Sequence, residues 1–222
     1  VAIRMPSHPV AAQLIRTSGV YIAAPSANIS GKPSPTRGEH VIHDMKGRID
    51  MIIVDDTVDI GVESTIVDLS EDVPTILRPG YITKEMLSEV LGEVRIDPAI
   101  MGSVKPGVVP KAPGMKYKHY APKTETFLVE GCSGSFVRFV NSKTDCAAIC
   151  FDEEYYSINV PKISYGSKHN ESTLAKNVFS SLRDVDSLGV KEVYIHAPSK
   201  DGVGLAVYNR LIRASGFKVI TL

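Results

Sequence analysis

At 222 residues, with 43% apolar and 23% charged side chains, the chain has the make-up of an ordinary globular protein with room for one large or two modest domains. Its 25 basic and 25 acidic residues cancel, which excludes the strongly basic footprint of a dedicated nucleic-acid binder and favours a small or locally bound partner. No apolar run reaches the ~18–20 residues of a membrane helix, nothing at the start reads as a signal peptide, and three cysteines form no disulfide framework and suit a reducing cytoplasm.

The first hundred residues alternate strand and helix signals. "VAIRM" (residues 1–5) predicts a short strand, and the opening reads as the middle of a longer chain. Ser7 is expected to cap a helix that has Pro9 in its first turn and stops at Gly19. Residues 20–24 predict a strand running into "APSANISGKPSPT" (24–36). Thr36 and Glu39 have the spacing of a capping box, so a helix over 37–45 should begin where that stretch ends. "MIIVD" (51–55), "STIVDL" (64–69) and "TILR" (75–78) predict strands, and Thr83 caps a helix to Leu91, ended by Gly92. Such alternation implies an α/β layer with its working groups at strand ends and loops.

Residues 98–124 break the pattern, with five prolines, five lysines and no acidic residue. A connector of that length is either a linker or a functional segment. Its half "APGMKYKHYAP" concentrates Met115, Tyr117, His119 and Tyr120, which favours a segment packed across a site. From Glu125 onward, strands are predicted at "TFLVEG", "CAAICF", "KISYG", "KEVYIH" and "FKVITL". Helices are predicted between them at about 135–141, 172–188 and 202–215. This reads as a small Rossmann-like, mainly parallel sheet. The domains expected are therefore 1–97, a linker at 98–124, and 125–222. Cys146-x3-Cys150 lies in an alternating run with no second pair, which disfavours a metal site, and His40-x2-His43 reads as a pair of solvated helix histidines.

The chemistry concentrates in 24–36. A strand end, a hydroxyl-rich loop and a helix N-terminus offer backbone N–H groups and a positive dipole to an anion. Ser26, Ser30, Ser34 and Thr36 can donate to phosphate oxygens, Asn28 can donate and accept, and Pro25, Pro33 and Pro35 stiffen the array. The alternative is a proline-rich turn whose hydroxyls only cap the next helix. "GVEST" (61–65) adds a glycine, a carboxylate and two hydroxyls before a strand. Arg78 in "LRPG" and Arg4 before Pro6 offer planar forks for carboxylate or phosphate. Together these describe a pocket for a nucleotide and a small carboxylate. "DGVGLAVYNR" (201–210) reads as a tight helix entrance, since a dinucleotide fingerprint belongs after the first strand of its unit.

In order, "VAIRMP", "APSANISGKPSPT", "GVESTIVDL", "ILRPG", "APGMKYKHYAP" and "GLAVYNRLIRA" resemble the threonylcarbamoyl-AMP synthases, the two-domain branch of the YrdC-like family. The resemblance implies the C-terminal half of a YrdC-like twisted-sheet domain, a linker over the nucleotide pocket, and a Rossmann-like C-terminal domain. It implies an ATP-dependent nucleotidyltransferase that joins L-threonine and bicarbonate into threonylcarbamoyl-adenylate, releasing pyrophosphate. The product serves downstream proteins that modify adenosine 37 of tRNA in the cytoplasm. Residue by residue, Arg4, Ala24 and Ser64 match threonine-site positions. Ser26, Asn28, Ser34 and Arg78 match ATP-site positions, with Tyr117 and His119 the expected linker contacts. Magnesium is expected with ATP, without assigned protein ligands, and no residue reads as a covalent nucleophile. Tyr81 after "RPG" and Gly38 depart from the usual small residue and alanine.

The family's preceding half-domain, with its triphosphate-gripping lysine and arginine, is not in this sequence, so the chain alone is expected to be inactive. Two other readings remain: an RNA-binding module using the lysine-rich linker, and a regulatory C-terminal domain that senses nucleotide or dimerises.

Overall fold

Strand alternation in the second half of the chain sorts side chains to two faces and so builds two cores. In the computed structural model, which describes residues 2–55, 58–100 and 120–222, five strands form one sheet: β4 (Glu125–Glu130), β5 (Cys146–Cys150), β6 (Lys162–Ser164), β7 (Glu192–His196) and β8 (Val219–Thr221). Ala147 and Ile149 of β5 and Val193 and Ile195 of β7 point to one face. Cys146, Ala148 and Cys150, with Tyr194, point to the other. This is the period of two that a strand covered on both sides requires. Helices α5 (Glu171–Asp184) and α6 (Gly202–Ala214) fill the first face. Helix α4 (Ser133–Asn141) covers the second through Phe136 and Val140.

Every pairing in this sheet is parallel, in the order β6-β5-β7-β4-β8. The Rossmann-like expectation is met in its layers and strand direction. A Rossmann order would place β4 between β5 and β7; here β4 and β7 have exchanged places. Cys146 and Cys150 are buried in this strand, and loss of water raises both thiol pKa values, that of Cys150 to about 12.

The first hundred residues contribute a three-stranded sheet, β1 (Ile66–Asp68), β2 (Thr75–Arg78) and β3 (Arg95–Ile96), in the order β1-β2-β3. Strand β1 runs antiparallel to β2, and β3 parallel to it. Around it lie α1 (Pro9–Ser18), α2 (Gly38–Met45) and α3 (Lys84–Leu91). Ile76 of β2, Val94 and Ile100 pack against Leu205 of α6. Val62 joins the main core. Helix α6 is therefore covered on both sides, and every residue from Gly204 to Ala214 is buried.

Several local expectations are corrected. No strand is assigned at 2–5, 20–24 or 51–55, because a strand needs a partner ladder for its backbone groups and none pairs with them among the described residues. The N-cap of α1 is His8, not Ser7, although Pro9 and the left-handed Gly19 bracket it as expected. Arg37 caps α2 without a side-chain bond. Thr36 does not form the capping box: its hydroxyl is buried with no partner among the described residues, and its N–H donates to Nδ1 of His40 at 3.4 Å. His40 is accordingly buried rather than solvated, while His43 is exposed. The Thr83 cap does form, accepting from the N–H of Met86. β3 and the short 3-10 turn Pro98–Ile100 carried no signal of their own. No helix among the described residues is long and apolar enough to cross a membrane.

Candidate functional site

Glu63 is where the expected site segments meet. It lies in the tight approach to β1, where a Cβ on Gly61 would fall 2.3 Å from the carbonyl oxygen of Lys176 in α5. Its Oε1 accepts from the hydroxyl of Ser34 at 2.9 Å. Its Oε2 accepts from Nε of Arg210, on α6, at 2.8 Å. The phenolic group of Tyr120 hydrogen-bonds the same carboxylate. Burial opposes ionisation of Glu63, but the guanidiniums of Arg210 and Arg78 outweigh it and hold its pKa below the usual carboxylate value. The Tyr120 hydroxyl is pushed up to about 12, first by burial and then by the charge of Glu63.

Arg78 ends β2. Its Nε and Nη2 donate to the backbone carbonyl of Ser64 at 3.1 and 2.9 Å, which closes the strand end onto "GVEST". Its Nη1 makes no bond among the described residues, so part of the fork remains for a ligand. Burial, then the positive charge of Arg210, lowers its pKa, and Arg4 adds a further lowering. Arg4 is exposed but within electrostatic reach of Arg78. Two guanidiniums, of Arg78 and Arg210, thus act on the Glu63 carboxylate and Arg4 lies within reach of Arg78, an excess of positive charge suited to a carboxylate or phosphate.

The loop 24–36 divides in two. Ala24 and Ser26 lie on its exposed first half. The amide of Asn28 donates to the carbonyls of Ile29 at 3.0 Å and Lys32 at 3.2 Å. That closes a turn in which Gly31 takes φ +87°, so the donors of Asn28 shape the loop from within. Its Oδ1 is buried with no hydrogen-bond partner among the described residues. The second half is anchored. Pro33 and Ser34 are buried, and Asp44 of α2 accepts from the N–H of Ile29 at 3.4 Å and from Lys32 at 3.5 Å. Arg183 of α5 donates to the Pro33 carbonyl through Nε (3.1 Å) and Nη2 (2.6 Å), and to Asp44 at 2.8 Å.

The structure therefore brings Ser34, Ser64 and Arg78 together around Glu63, with Arg4 in reach. Tyr117 and His119 lie outside the described residues. Sequence reasoning missed Tyr120 as the partner of Glu63, and it missed Arg183 and Arg210 altogether. One signal was present: "GLAVYNRLIRA" is apolar nearly all round, so a helix made of it must be buried, and an arginine on it must find partners.

The helix entrance in "DGVG" is filled by the protein itself. Glu171 accepts from the N–H of Gly204 at 2.8 Å and from Ser199 at 2.6 Å. Its carboxylate occupies the place an anion would take at a helix N-terminus.

Comparison with known proteins gives a consistent picture. Residues 82–216 match the family described as threonylcarbamoyl-AMP synthase, C-terminal domain, and residues 1–80 match the family described as telomere recombination. The chain is 44% identical over 229 residues to a threonylcarbamoyl-AMP synthase of Pyrococcus abyssi, covering 99% of this chain and 65% of that protein. It is 41% identical to one of Bacillus subtilis, covering 99% and 64%. The crystal structure of P. abyssi Sua5 complexed with L-threonine matches with TM-score 0.87 at 39% identity, over 100% of this chain and 66% of that one. The H234A/Y235A form of P. abyssi Sua5 matches with TM-score 0.90 at 39% identity, over 100% and 64%. The chain thus spans just under two thirds of the length of these relatives.

Proposed function

Because this chain belongs to the threonylcarbamoyl-AMP synthase family, we propose that its Glu63-centred site forms the threonine side and part of the nucleotide side of an enzyme that makes threonylcarbamoyl-adenylate. The carrying observation is that Ser34 donates to the half-buried Glu63 carboxylate while Arg78 closes onto the carbonyl of the adjacent Ser64, with Arg4 adding positive charge. It is supported by family similarity along the whole chain and by a matching relative solved with L-threonine.

In this reading Arg4, Ala24 and Ser64 receive threonine, its carboxylate on Arg4. Ser26, Asn28, Ser34 and Arg78 receive ATP, with Tyr117 and His119 completing the nucleotide side. The threonine amine takes up bicarbonate with loss of water to give a carbamate. A carbamate oxygen then attacks the α-phosphorus of ATP in line, the bond to the bridging oxygen breaks, and pyrophosphate leaves. The chain's own contribution is positioning and charge complementarity, since the attacking group belongs to the substrate. Magnesium would arrive on the phosphates of ATP. No cluster of three or more His, Cys, Asp or Glu able to hold a metal occurs among the described residues. The product would pass, in the cytoplasm, to proteins that modify tRNA.

We propose further that the 222 residues alone do not turn over. The test is pyrophosphate release in the presence of ATP, L-threonine and bicarbonate. It is run on this chain and on the chain completed with the segment of the P. abyssi relative that it does not match. Release from the completed protein that requires all three substrates, and falls at least a hundredfold in Arg78→Ala, is expected. Release without threonine, or an unaffected Arg78→Ala variant, would overturn the site. Turnover by the 222 residues alone would overturn the second claim.

A further inference from the structure

Arg183 of α5 and Arg210 of α6 both reach out of the C-terminal domain, and each lands beside a residue of the candidate site. Arg183 takes the carbonyl of Pro33, the residue before Ser34, with two N–H groups and holds Asp44 with one of them. Arg210 takes the carboxylate of Glu63, the residue before Ser64, together with that residue's carbonyl at 3.3 Å. Its Nη1 donates at 2.6 Å to the carbonyl of Pro79, the residue after Arg78. Arg210 is wholly buried, and the side chain of Asp44 is fully covered as well.

Stability alone is a weak reason for such groups. A buried ion pair recovers little more than its desolvation, and an apolar replacement of similar volume is often as stable. What an apolar residue cannot supply is direction. A planar guanidinium fixes several oxygens at set angles at once. Here those oxygens belong to the backbone of three separate loops, at 33, 63 and 79. The C-terminal domain also fills its own helix entrance with Glu171.

From this we infer that Arg183 and Arg210 are positioning residues: through them the C-terminal domain sets the loops bearing Ser34, Ser64 and Arg78 in the register that receives the ligands. That the loops face ligands rests on the function proposed above; that the arginines hold them does not.

The decisive measurement is amide hydrogen exchange on the 222-residue chain, without ligand, for Arg183→Lys and Arg210→Lys. Lysine keeps the charge but cannot reach several oxygens in one plane. Arg183→Lys should speed exchange at least tenfold in residues 29–34. Arg210→Lys should do so in 63–65 and 80. In both, β4, β5 and β7 should exchange as in the parent. Loops that keep their protection, or a rise shared equally by the central strands, would overturn the inference. In the completed enzyme, Arg210→Lys should raise the KM for L-threonine at least tenfold with kcat within about threefold. A fall in kcat at unchanged KM would overturn it, and an inactive parent would overturn the functional reading while leaving the exchange result to decide the positioning role.

Discussion

Nη2 of Arg183 lies 2.8 Å from Oδ2 of Asp44 across 139 residues of sequence, and this part-buried pair ties α5 to the helix that follows the hydroxyl-rich loop. Burial works against ionised Asp44, but the bonds from Arg183 and His43 win and hold its pKa far below the ordinary carboxylate value. Glu63 is depressed in the same way by Arg210 and Arg78. For groups whose folded pKa is lowered, the stabilisation is complete above the unfolded value of about 4 and is lost as pH falls through the folded value. The denaturation midpoint should therefore be flat from pH 7 to about 5 and fall steeply below about 4. Asp44→Asn should lower the plateau and flatten the acid slope, read from urea titrations at a series of pH values.

Gly80 allows the turn after Arg78 to lie against "GVEST". A Cβ there would sit 2.3 Å from the backbone nitrogen of Thr65 and 2.7 Å from the carbonyl oxygen of Glu63, and backbone atoms cannot rotate aside. Gly80→Ala should cost about 1–3 kcal/mol by overpacking. It should also displace Ser64 from Arg78, seen as loss of threonine-dependent turnover in the completed enzyme. A variant as stable and active as the parent would show that the turn can shift without consequence.

Cys132 precedes α4 with its thiol exposed, and hydrogen bonding with the side chain and then the backbone of Ser135 lowers its pKa. The thiolate is the reactive form. A thiol reagent near pH 7.5 should modify Cys132 first in the folded chain and reach Cys146 and Cys150 only on unfolding. Rapid modification of three thiols in the native state would contradict the packing of β5.

The first sixty residues expose Ile3, Met5, Tyr21, Ile22, Met51 and Ile53, more apolar surface than scattered single residues provide. The chain should self-associate in sedimentation experiments as concentration rises. Ile22→Lys with Ile53→Lys should reduce this without changing the melting temperature of the C-terminal sheet. A strictly monomeric parent at high concentration would remove the expectation.

The C-terminal sheet was readable because its central strands β5 and β7 are short apolar runs that the fold covers on both sides, so local pattern and tertiary burial agree. The runs at 1–5, 20–24 and 51–55 carry the same signal, yet no ladder forms on them among the described residues. Propensity states what a segment favours, and a strand also needs a neighbour to bond. Thr36 shows the same limit on a smaller scale. Its spacing to Glu39 matched a capping box, but His40 took the N–H that the motif was read from.

By itself the sequence determined the α/β class, the hydroxyl-rich loop, the strand end that carries Arg78 and their resemblance to one family, because each is written in a short stretch of neighbouring residues. Only the tertiary structure decided that Glu63 is the meeting point and that Arg183 and Arg210 hold it and the loop. Those contacts join residues 139 to 150 positions apart. No local pattern encodes which buried arginine will face which carbonyl. That follows from how two helices pack between two sheets, and from the requirement that charge removed from water must be met by charge and hydrogen bonds.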